Sequence, residues 1–230
     1  MEQQMKVAII GRGKTGQAVI DYLPETQVSG VYSRENPVTV AALQAADVAI
    51  VFVPGAAMDA LIPILLAAEI PVICGATGID WPAALSEQMA AVQTRWIMAS
   101  NFSLGMSLMR RCIKLLGRAS QILPNPDFHI HEVHHVHKQD TPSGTALSWQ
   151  QWLNQPCEVT AEREGDVKGV HVLTVETPAE RMTLKHESLD RQLFAQGAVW
   201  AAHYVLSKAG HSLAPGMHYF DEIIDELLSV

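Results

Sequence analysis

Short apolar runs alternate with helix-like segments through the N-terminal part of the chain, and this alternation constrains the fold most. Strand-like runs are predicted at residues 6–11, 27–32, 47–53, 71–74 and 95–99. Predicted helices separate them at residues 15–23, 38–46 and 58–68. Strands that alternate with helices form a parallel sheet with right-handed crossovers. The sequence therefore predicts the α/β class, with an N-terminal Rossmann-like, doubly wound parallel sheet.

The pattern changes near residues 101–105. A long predicted helix at 103–116 is followed by strand-like runs that alternate apolar and polar residues, as in a sheet with one solvated face. These runs lie at residues 128–137, 167–177 and 180–187, and further helices are predicted at 145–153, 193–206 and 221–228. We expect residues 1–104 and 193–230 to form a dinucleotide-binding domain. Residues 105–192 are expected to form a smaller α+β domain with a mixed or antiparallel sheet.

The charge balance and the cysteine content exclude several classes of function. The chain has 230 residues, with 16 basic and 24 acidic side chains and a net charge of −8. This acidic balance argues against nucleic acid or an anionic membrane as a partner. Three widely spaced cysteines without a CxxC pair are typical of a reducing compartment, so we expect a cytoplasmic protein. The longest apolar run, 60–68, is too short to span a bilayer.

A glycine loop follows the first predicted strand and precedes the first predicted helix. It reads G-x-G-x-x-G, the fingerprint of a dinucleotide site in which a pyrophosphate lies on a helix N-terminus. The predicted cofactor-binding residues of this loop are Gly11, Arg12, Gly13, Lys14, Thr15 and Gly16. A nucleotide-triphosphate P-loop would need glycine at position 8, which is Ala8 within the strand. We therefore interpret the loop as a dinucleotide site.

The end of the second predicted strand bears on the choice between NADPH and NADH. The chain reads Tyr32-Ser33-Arg34-Glu35 at this point. A basic residue here accommodates the 2′-phosphate of NADP, whereas an acidic residue binds the ribose hydroxyls of NAD. Ser33 and Arg34 favour NADPH, while Glu35 leaves NADH open. A solvated loop charge is an equally good interpretation of Arg34.

Histidine is concentrated in one segment, where five of the ten in the chain lie between His129 and His137. Residues 131–135 read H-E-x-x-H, which binds zinc when it lies on a helix. Prolines flank the segment and apolar residues alternate within it, so a strand is predicted instead. On a strand Glu132 would point away from His131 and His135. We therefore predict no metal site.

Proton chemistry combined with anion binding accounts better for the segment. Histidine titrates near neutral pH, and His134 and His135 are expected on opposite sides of the strand. Lys138 adds positive charge close by. Ser143-Gly144-Thr145 precedes or opens a predicted helix, whose free N–H groups can bind a carboxylate. The segment thus predicts a site for a small carboxylate substrate, while His129 and His137 are expected to be structural.

The segment from Glu132 to Ala146 matches E-x-H-H-x-x-K-x-D-x-P-S-G-T-A at every fixed position. In this it resembles the dihydrodipicolinate (4-hydroxy-tetrahydrodipicolinate) reductases of the bacterial and plant lysine pathway. Gly75-Ala-Thr77-Gly78 is similar to the family's G-T-T-G, and 99–103 to its A-x-N-F-S hinge. The segment from Arg163 to His171 is similar to a further family strand. The resemblance covers nearly the whole chain.

The resemblance implies an oxidoreductase of lysine and diaminopimelate biosynthesis. The implied reaction reduces 4-hydroxy-tetrahydrodipicolinate to tetrahydrodipicolinate with NADPH or NADH. His134 resembles the general acid that protonates the ring carbon, and Lys138 resembles the charged residue beside it. The implied carboxylate-binding residues are His135, Ser143, Gly144 and Thr145. The implied residues around the nicotinamide are Gly75, Thr77, Ser100, Asn101 and Phe102. Family members are usually tetramers built through the sheet of the second domain, so a homo-oligomer is implied.

The chain also departs from the family pattern. An acidic residue, Phe and Thr or Ser usually end the third strand, whereas this chain has Val51-Phe52-Val53. Phe52 remains a predicted cofactor contact, but the polar contacts to the nicotinamide are expected to be missing. The glycine loop reads Gly-Lys-Thr-Gly where G-R-M-G is common, and the chain is short for the family. Two alternatives stay open, a nicotinamide-dependent reductase of another small carboxylate and a non-catalytic NAD(P)-binding paralogue.

Overall fold

The computed structural model describes residues 4–229, which form two compact units. The first unit combines the described residues up to Leu104 with those from Arg191 onward. The second unit is Gly105–Asp190. Across residues 4–229, none of the helices is both long enough and apolar enough to cross a membrane.

Ten strands and nine α-helices are present in residues 4–229. The strands are β1 (Val7–Ile10), β2 (Val28–Tyr32), β3 (Val48–Val51), β4 (Val72–Cys74), β5 (Arg95–Met98), β6 (Asp127–His134), β7 (Glu158–Arg163), β8 (Val170–Glu176), β9 (Arg181–Glu187) and β10 (Gly216–Tyr219). The helices are α1 (Lys14–Tyr22), α2 (Val40–Gln44), α3 (Met58–Ala68), α4 (Leu85–Ala91), α5 (Leu104–Ala119), α6 (Gly144–Leu153), α7 (Gln192–Leu206), α8 (Lys208–His211) and α9 (Phe220–Leu227).

The sheet of the first unit is parallel throughout. Its six strands run in the order β10-β5-β4-β3-β1-β2, and every neighbouring pair is parallel. This confirms the predicted Rossmann-like sheet. The edge strand β10 and helix α4 were not expected from the sequence. β10 reads Gly-Met-His-Tyr and lacks the apolar run of a buried strand.

Both faces of this sheet are covered, which explains why the central strands β1, β3 and β4 are apolar at every position. In β1, Val7 and Ile9 pack in the cluster that contains the buried residues of α1, α7 and α9. Ala8 and Ile10 face the opposite cluster, which contains those of α2, α3 and α4. Successive strand residues point to opposite faces, so a sheet with helices on both sides needs continuous apolar strands.

The chain order of the strands creates a crevice at the carboxyl ends of the strands. From β1 the chain first adds β2 on one side and then crosses to place β3 on the other side. Ligands of open α/β sheets bind at such a switch point, outside the carboxyl ends of the strands. Gly11 follows β1 and Phe52 follows β3, so both lie at the carboxyl ends of the strands.

The sheet of the second unit is mixed, which confirms the predicted α+β arrangement. Its order is β7-β6-β8-β9, with β6 parallel to β7 and antiparallel to β8. Helices α5 and α6 contribute Ile113 and Trp149 to a cluster with Phe128 and Ile130 of β6. β7 was not expected, because its sequence EVTAER is mostly polar. The even-numbered residues of β6 face this cluster.

The strand predicted at residues 128–137 extends beyond the end of β6. β6 ends at His134. His135 begins a turn, in which its carbonyl accepts a hydrogen bond from the N–H of Lys138 at 3.1 Å. The expectation that His134 and His135 occupy opposite faces of one strand is therefore wrong. The apolar residues Val133 and Val136 suggested a strand to residue 137, but the pairing with β7 ends at His134 and the pairing with β8 ends at Val133.

Candidate active site

The glycine loop of the first unit is held by close backbone contacts. Gly11 is buried with φ +108°, and its N–H donates to the carbonyl of Tyr32 at 2.9 Å. A Cβ on Gly11 would overlap the carbonyl of Phe52, and one on Gly16 would overlap the carbonyl of Gly11. Only glycine permits this approach of α1 to the strand ends.

The start of α1 fits an anionic group. Gly13 is the N-cap residue and provides no side-chain cap, so the first N–H groups of the helix lack the usual side-chain acceptor. A Cβ on Gly13 would meet nothing within 4 Å, which leaves open space above the helix N-terminus. Arg12 and Lys14 are exposed beside it, and Thr15 is half-buried. These residues fit the pyrophosphate of a dinucleotide.

Three of the other predicted cofactor residues, Phe52, Gly75 and Phe102, lie close together after the carboxyl ends of the strands. The ring of Phe52 lies against Gly75 and would overlap a Cβ there. The same ring meets Phe102 edge-on, with centroids 5.8 Å apart. Val51, where the family has a polar residue, is completely buried.

The remaining predicted cofactor residues lie in loops of the first unit. Ser33 accepts a hydrogen bond from the N–H of Glu35 at 3.2 Å, and Arg34 is exposed in this turn. Thr77 and Ser100 are exposed. The side chain of Asn101 accepts from the N–H of Ser103 at 2.8 Å and so shapes the segment before α5.

Three titratable side chains meet inside the second unit. His134 on β6 and His171 on β8 place their Nε2 atoms 3.3 Å apart. Each Nε2 lies 3.4 Å from Oε2 of Glu132. Glu132 is directly opposite His171 in the antiparallel register, and His134 lies two residues along on the same face. The three side chains are buried, with Glu132 fully inaccessible.

Glu132 is the centre of this group. Its Oε1 accepts from the backbone N–H of Ser143 at 2.9 Å and lies 3.5 Å from Nη1 of Arg163. Its Oε2 has no hydrogen-bond partner. Burial opposes the charge, but hydrogen bonds from Ser143 and the nearby histidines hold the pKa of Glu132 below its usual range. Glu132 is therefore a buried carboxylate surrounded by donors.

Burial disfavours the charged form of both histidines. Burial lowers the pKa of His171 to about 4, helped by the neighbouring His134. Burial also lowers the pKa of His134, and Lys138 and Arg163 act in the same sense. Glu132 opposes this shift because its negative charge favours the imidazolium of His134.

Cationic groups surround the start of α6. Nζ of Lys138 contacts both carboxylate oxygens of Asp140, at 2.8 and 2.9 Å. These bonds from Lys138 lower the pKa of Asp140, and the backbone of Gly144 hydrogen-bonds the same carboxylate. Arg163 donates to the carbonyl of Asp140 and to the hydroxyl of Thr141. The carboxylate of Asp140 thus contacts Lys138 and Gly144, which are donors that could bind a carboxylate of the substrate.

The predicted substrate-binding residues differ in their hydrogen bonds and in their exposure to solvent. The hydroxyl of Ser143 caps α6 by accepting from the N–H of Ala146 at 3.1 Å and lies 3.2 Å from Nε2 of His171. Because its N–H is also bonded to Glu132, Ser143 is an anchor of the site. Gly144 is exposed, and Thr145 and His135 are half-buried.

Glu132, Arg163 and His171 were quoted in the family motifs but not assigned to the site from the sequence. The signal was available for Glu132, since residues 128, 130, 132 and 134 share one face of a strand. His131, by contrast, faces away, and its Nδ1 lies 2.9 Å from the hydroxyl of Thr160. The H-E-x-x-H letters therefore form no zinc site. A different set, Glu132, His134 and His171, could hold a metal ion, with ligand atoms all within 4.8 Å of one another.

Known reductases resemble this chain in sequence and in fold. Residues 105–220 match the family described as dihydrodipicolinate reductase, C-terminus. A 4-hydroxy-tetrahydrodipicolinate reductase of Xylella fastidiosa (strain 9a5c) is 32% identical over 212 residues, covering 90% of this chain and 85% of that protein. The corresponding protein of Xanthomonas euvesicatoria pv. vesicatoria (strain 85-10) is 34% identical over 213 residues, covering 91% and 84%. The dipicolinate-bound dihydrodipicolinate reductase of Paenisporosarcina sp. TG-14 has a TM-score of 0.73 at 18% identity, covering 96% of this chain and all of that chain (100%).

Proposed function

This chain belongs to the dihydrodipicolinate reductase family, and on that premise we propose how its residues carry out the reaction. The chain is an NAD(P)H-dependent oxidoreductase of lysine and diaminopimelate biosynthesis. It reduces 4-hydroxy-tetrahydrodipicolinate to tetrahydrodipicolinate. The single observation that supports the site is the buried group of Glu132, His134 and His171 beside the cations Lys138 and Arg163.

His134 is the general acid. When bound, the nicotinamide supplies a hydride to the substrate ring, which leaves an enamine or carbanion equivalent that needs a proton. The imidazole of His134 delivers this proton to the ring carbon. Glu132, whose Oε2 lies 3.4 Å from Nε2 of His134, stabilises the imidazolium before transfer. Lys138 supplies positive charge at the same site.

The donors around the start of α6 bind the substrate carboxylates. The N–H groups of Gly144 and Thr145 belong to the first turn of α6, where a helix attracts negative charge. Lys138 and His135 add side-chain donors. A substrate carboxylate would replace Asp140 on Lys138 and Gly144, since both are the same chemical group. Ser143 orients this turn through its bonds to Glu132 and Ala146.

The first unit binds the dinucleotide. The residues that would hold it are the glycine-loop residues 11–16 and Ser33, Arg34, Phe52, Gly75, Thr77, Ser100, Asn101 and Phe102. We favour NADPH because Arg34 is exposed beside Ser33 at the end of β2, where a 2′-phosphate would lie. Replacing Arg34 by alanine should raise the KM for NADPH about tenfold, as expected for a lost charged hydrogen bond, and leave the KM for NADH unchanged. Equal effects on both cofactors would contradict this role.

The second unit binds the substrate and forms the oligomer. Helices α5 and α6 cover one face of its sheet, and we propose that the other face joins copies of the chain into a homotetramer. Light scattering after size-exclusion chromatography measures the number of subunits. A cytoplasmic location fits three cysteines that form no disulfide and a biosynthetic reaction.

Steady-state kinetics test the reaction and the proton donor. Purified protein should oxidise NADPH or NADH only when fresh 4-hydroxy-tetrahydrodipicolinate is supplied, and no turnover with either cofactor would refute the function. Replacing His134 by glutamine should lower kcat about 100-fold or more and leave the cofactor Kd nearly unchanged. His129→Gln, on the opposite face of β6, is the matched control and should keep the wild-type rate.

A further inference from the structure

Oε2 of Glu132 is a buried, charged oxygen without a hydrogen-bond partner. The side chain is fully inaccessible, while its other oxygen is bonded to Ser143 and close to Arg163. Buried polar atoms are almost always satisfied, and an unsatisfied one in a functional site calls for a compensating group. The atom points at Nε2 of His134 and Nε2 of His171, each 3.4 Å away.

The three atoms form a nearly equilateral triangle. Nε2 of His134 and Nε2 of His171 are 3.3 Å apart, close to their 3.4 Å distances from the carboxylate oxygen. A tetrahedral zinc ion with bonds of about 2.0–2.1 Å separates its ligand atoms by about 3.3–3.4 Å. The triangle therefore has the dimensions of one face of a zinc coordination tetrahedron without any movement of the side chains.

The ligand types and their orientation suit a borderline transition-metal ion. Two imidazoles and one carboxylate are ordinary zinc ligands. The backbone of Lys168 hydrogen-bonds the imidazole of His134. Because Nε2 faces Glu132 and His171, that bond belongs to Nδ1, and it leaves the Nε2 lone pair directed into the triangle. The hydroxyl of Ser143, 3.2 Å from Nε2 of His171, or a water can complete the tetrahedron.

We propose that Glu132, His134 and His171 form a binding site for zinc and similar divalent transition-metal ions, and that occupation of this site inhibits the reductase. Bound metal takes the lone pair of His134 that must carry the proton, so chemistry stops while the fold is retained. Arg163 and Lys138 add positive charge near the site, which favours a reversible inhibitory site over a permanent structural one. The inhibition rests on the proposed function of His134, whereas metal binding does not.

Cobalt spectroscopy on the metal-free protein of 230 residues tests binding without substrate. Four-coordinate Co²⁺ absorbs visible light strongly and six-coordinate Co²⁺ weakly, so a titration reports both affinity and geometry. We expect the strong spectrum of four-coordinate Co²⁺ and its loss when Zn²⁺ displaces the cobalt. Glu132→Gln and His171→Asn should each bind Co²⁺ at least about tenfold more weakly than the wild-type protein. His171→Asn keeps the test valid if the glutamine variant does not fold.

The double variant His129→Asn, His131→Asn is the matched control, since it removes two histidines from the other face of β6. It should bind Co²⁺ with wild-type affinity and spectrum. The proposal is overturned if the spectrum is six-coordinate, if His171→Asn binds as tightly as wild type, or if only the double variant loses binding.

Inhibition is measured separately. Zn²⁺ should abolish NADPH oxidation by the wild-type protein, and EDTA should restore it. Full activity with the cobalt site saturated would refute the inhibitory role. A wild-type protein that gives the four-coordinate spectrum with Co²⁺ but has no reductase activity when it is metal-free would refute the proposed function and leave the metal site standing.

Discussion

Replacing Glu132 by alanine should destabilise the second unit strongly. The substitution removes the acceptor of the Ser143 N–H and leaves Arg163 without its buried carboxylate partner. Breaking a buried charge pair by removing one partner costs about 3–5 kcal/mol. Because the Arg163 side chain is 20% exposed and the ion pair is 3.5 Å long, we take the low end, about 3 kcal/mol.

Glu132→Gln separates the loss of charge from the loss of the hydrogen bond. The amide oxygen still accepts from Ser143, and the amide N–H group can donate to a neutral histidine, so we expect a cost of about 1 kcal/mol. For a chain of this length, 1 kcal/mol shifts the melting temperature by about 2–4 °C. The alanine variant should therefore melt about 6–12 °C lower, and the glutamine variant about 2–4 °C lower.

Differential scanning calorimetry measures both shifts. Glu162→Ala, an exposed carboxylate on the neighbouring strand β7, is the control and should change stability by less than about 0.5 kcal/mol. If Glu132→Ala and Glu132→Gln melt at the same temperature, the bond to Ser143 does not anchor the site. If both match the control, Glu132 has no structural role and the reasoning fails.

Further expectations concern the glycine loop, the cysteines and the cap of α6. Gly16→Ala should lower the melting temperature, because its Cβ would overlap the Gly11 carbonyl, whereas Gly13→Ala should only weaken NADPH binding in a fluorescence titration. Equal melting temperatures would contradict the packing argument. Burial raises the pKa of Cys74 to about 11, so iodoacetamide should label exposed Cys112 first in peptide mass mapping. Early labelling of Cys74 would show that β4 is accessible. Ser143→Ala should cost about 1 kcal/mol in urea unfolding through loss of the N-cap, and no change would show that the cap is dispensable.

Most of the parallel sheet was predictable because its strands and helices differ in hydrophobic period. Strands buried on both faces are apolar at every position, and helices such as α1 and α3 separate them along the chain. β10 and β7 were not predicted, because pairing with a neighbouring strand, rather than a run of apolar residues, holds each of them in place. β10 pairs with β5, and the polar β7 pairs with β6.

The chemistry of the site was partly predictable. The spacing of His134, Lys138 and Ser143 indicated proton transfer beside an anion site at a helix start, and the structure places Ser143 at the N-cap of α6. The strand was expected to continue through His135, but local alternation does not report where a partner strand stops. The turn at His135 was therefore missed.

The sequence by itself determined the fold class, the position of the glycine loop and the motif that carries the family, because period and spacing are local properties of the chain. Only the tertiary structure decided that His171 belongs with Glu132 and His134. That contact depends on the antiparallel register of β6 and β8, which sets Glu132 opposite His171 across a long sequence separation. No local pattern encodes such a register, so the buried carboxylate and its unpartnered oxygen became visible only in the folded chain.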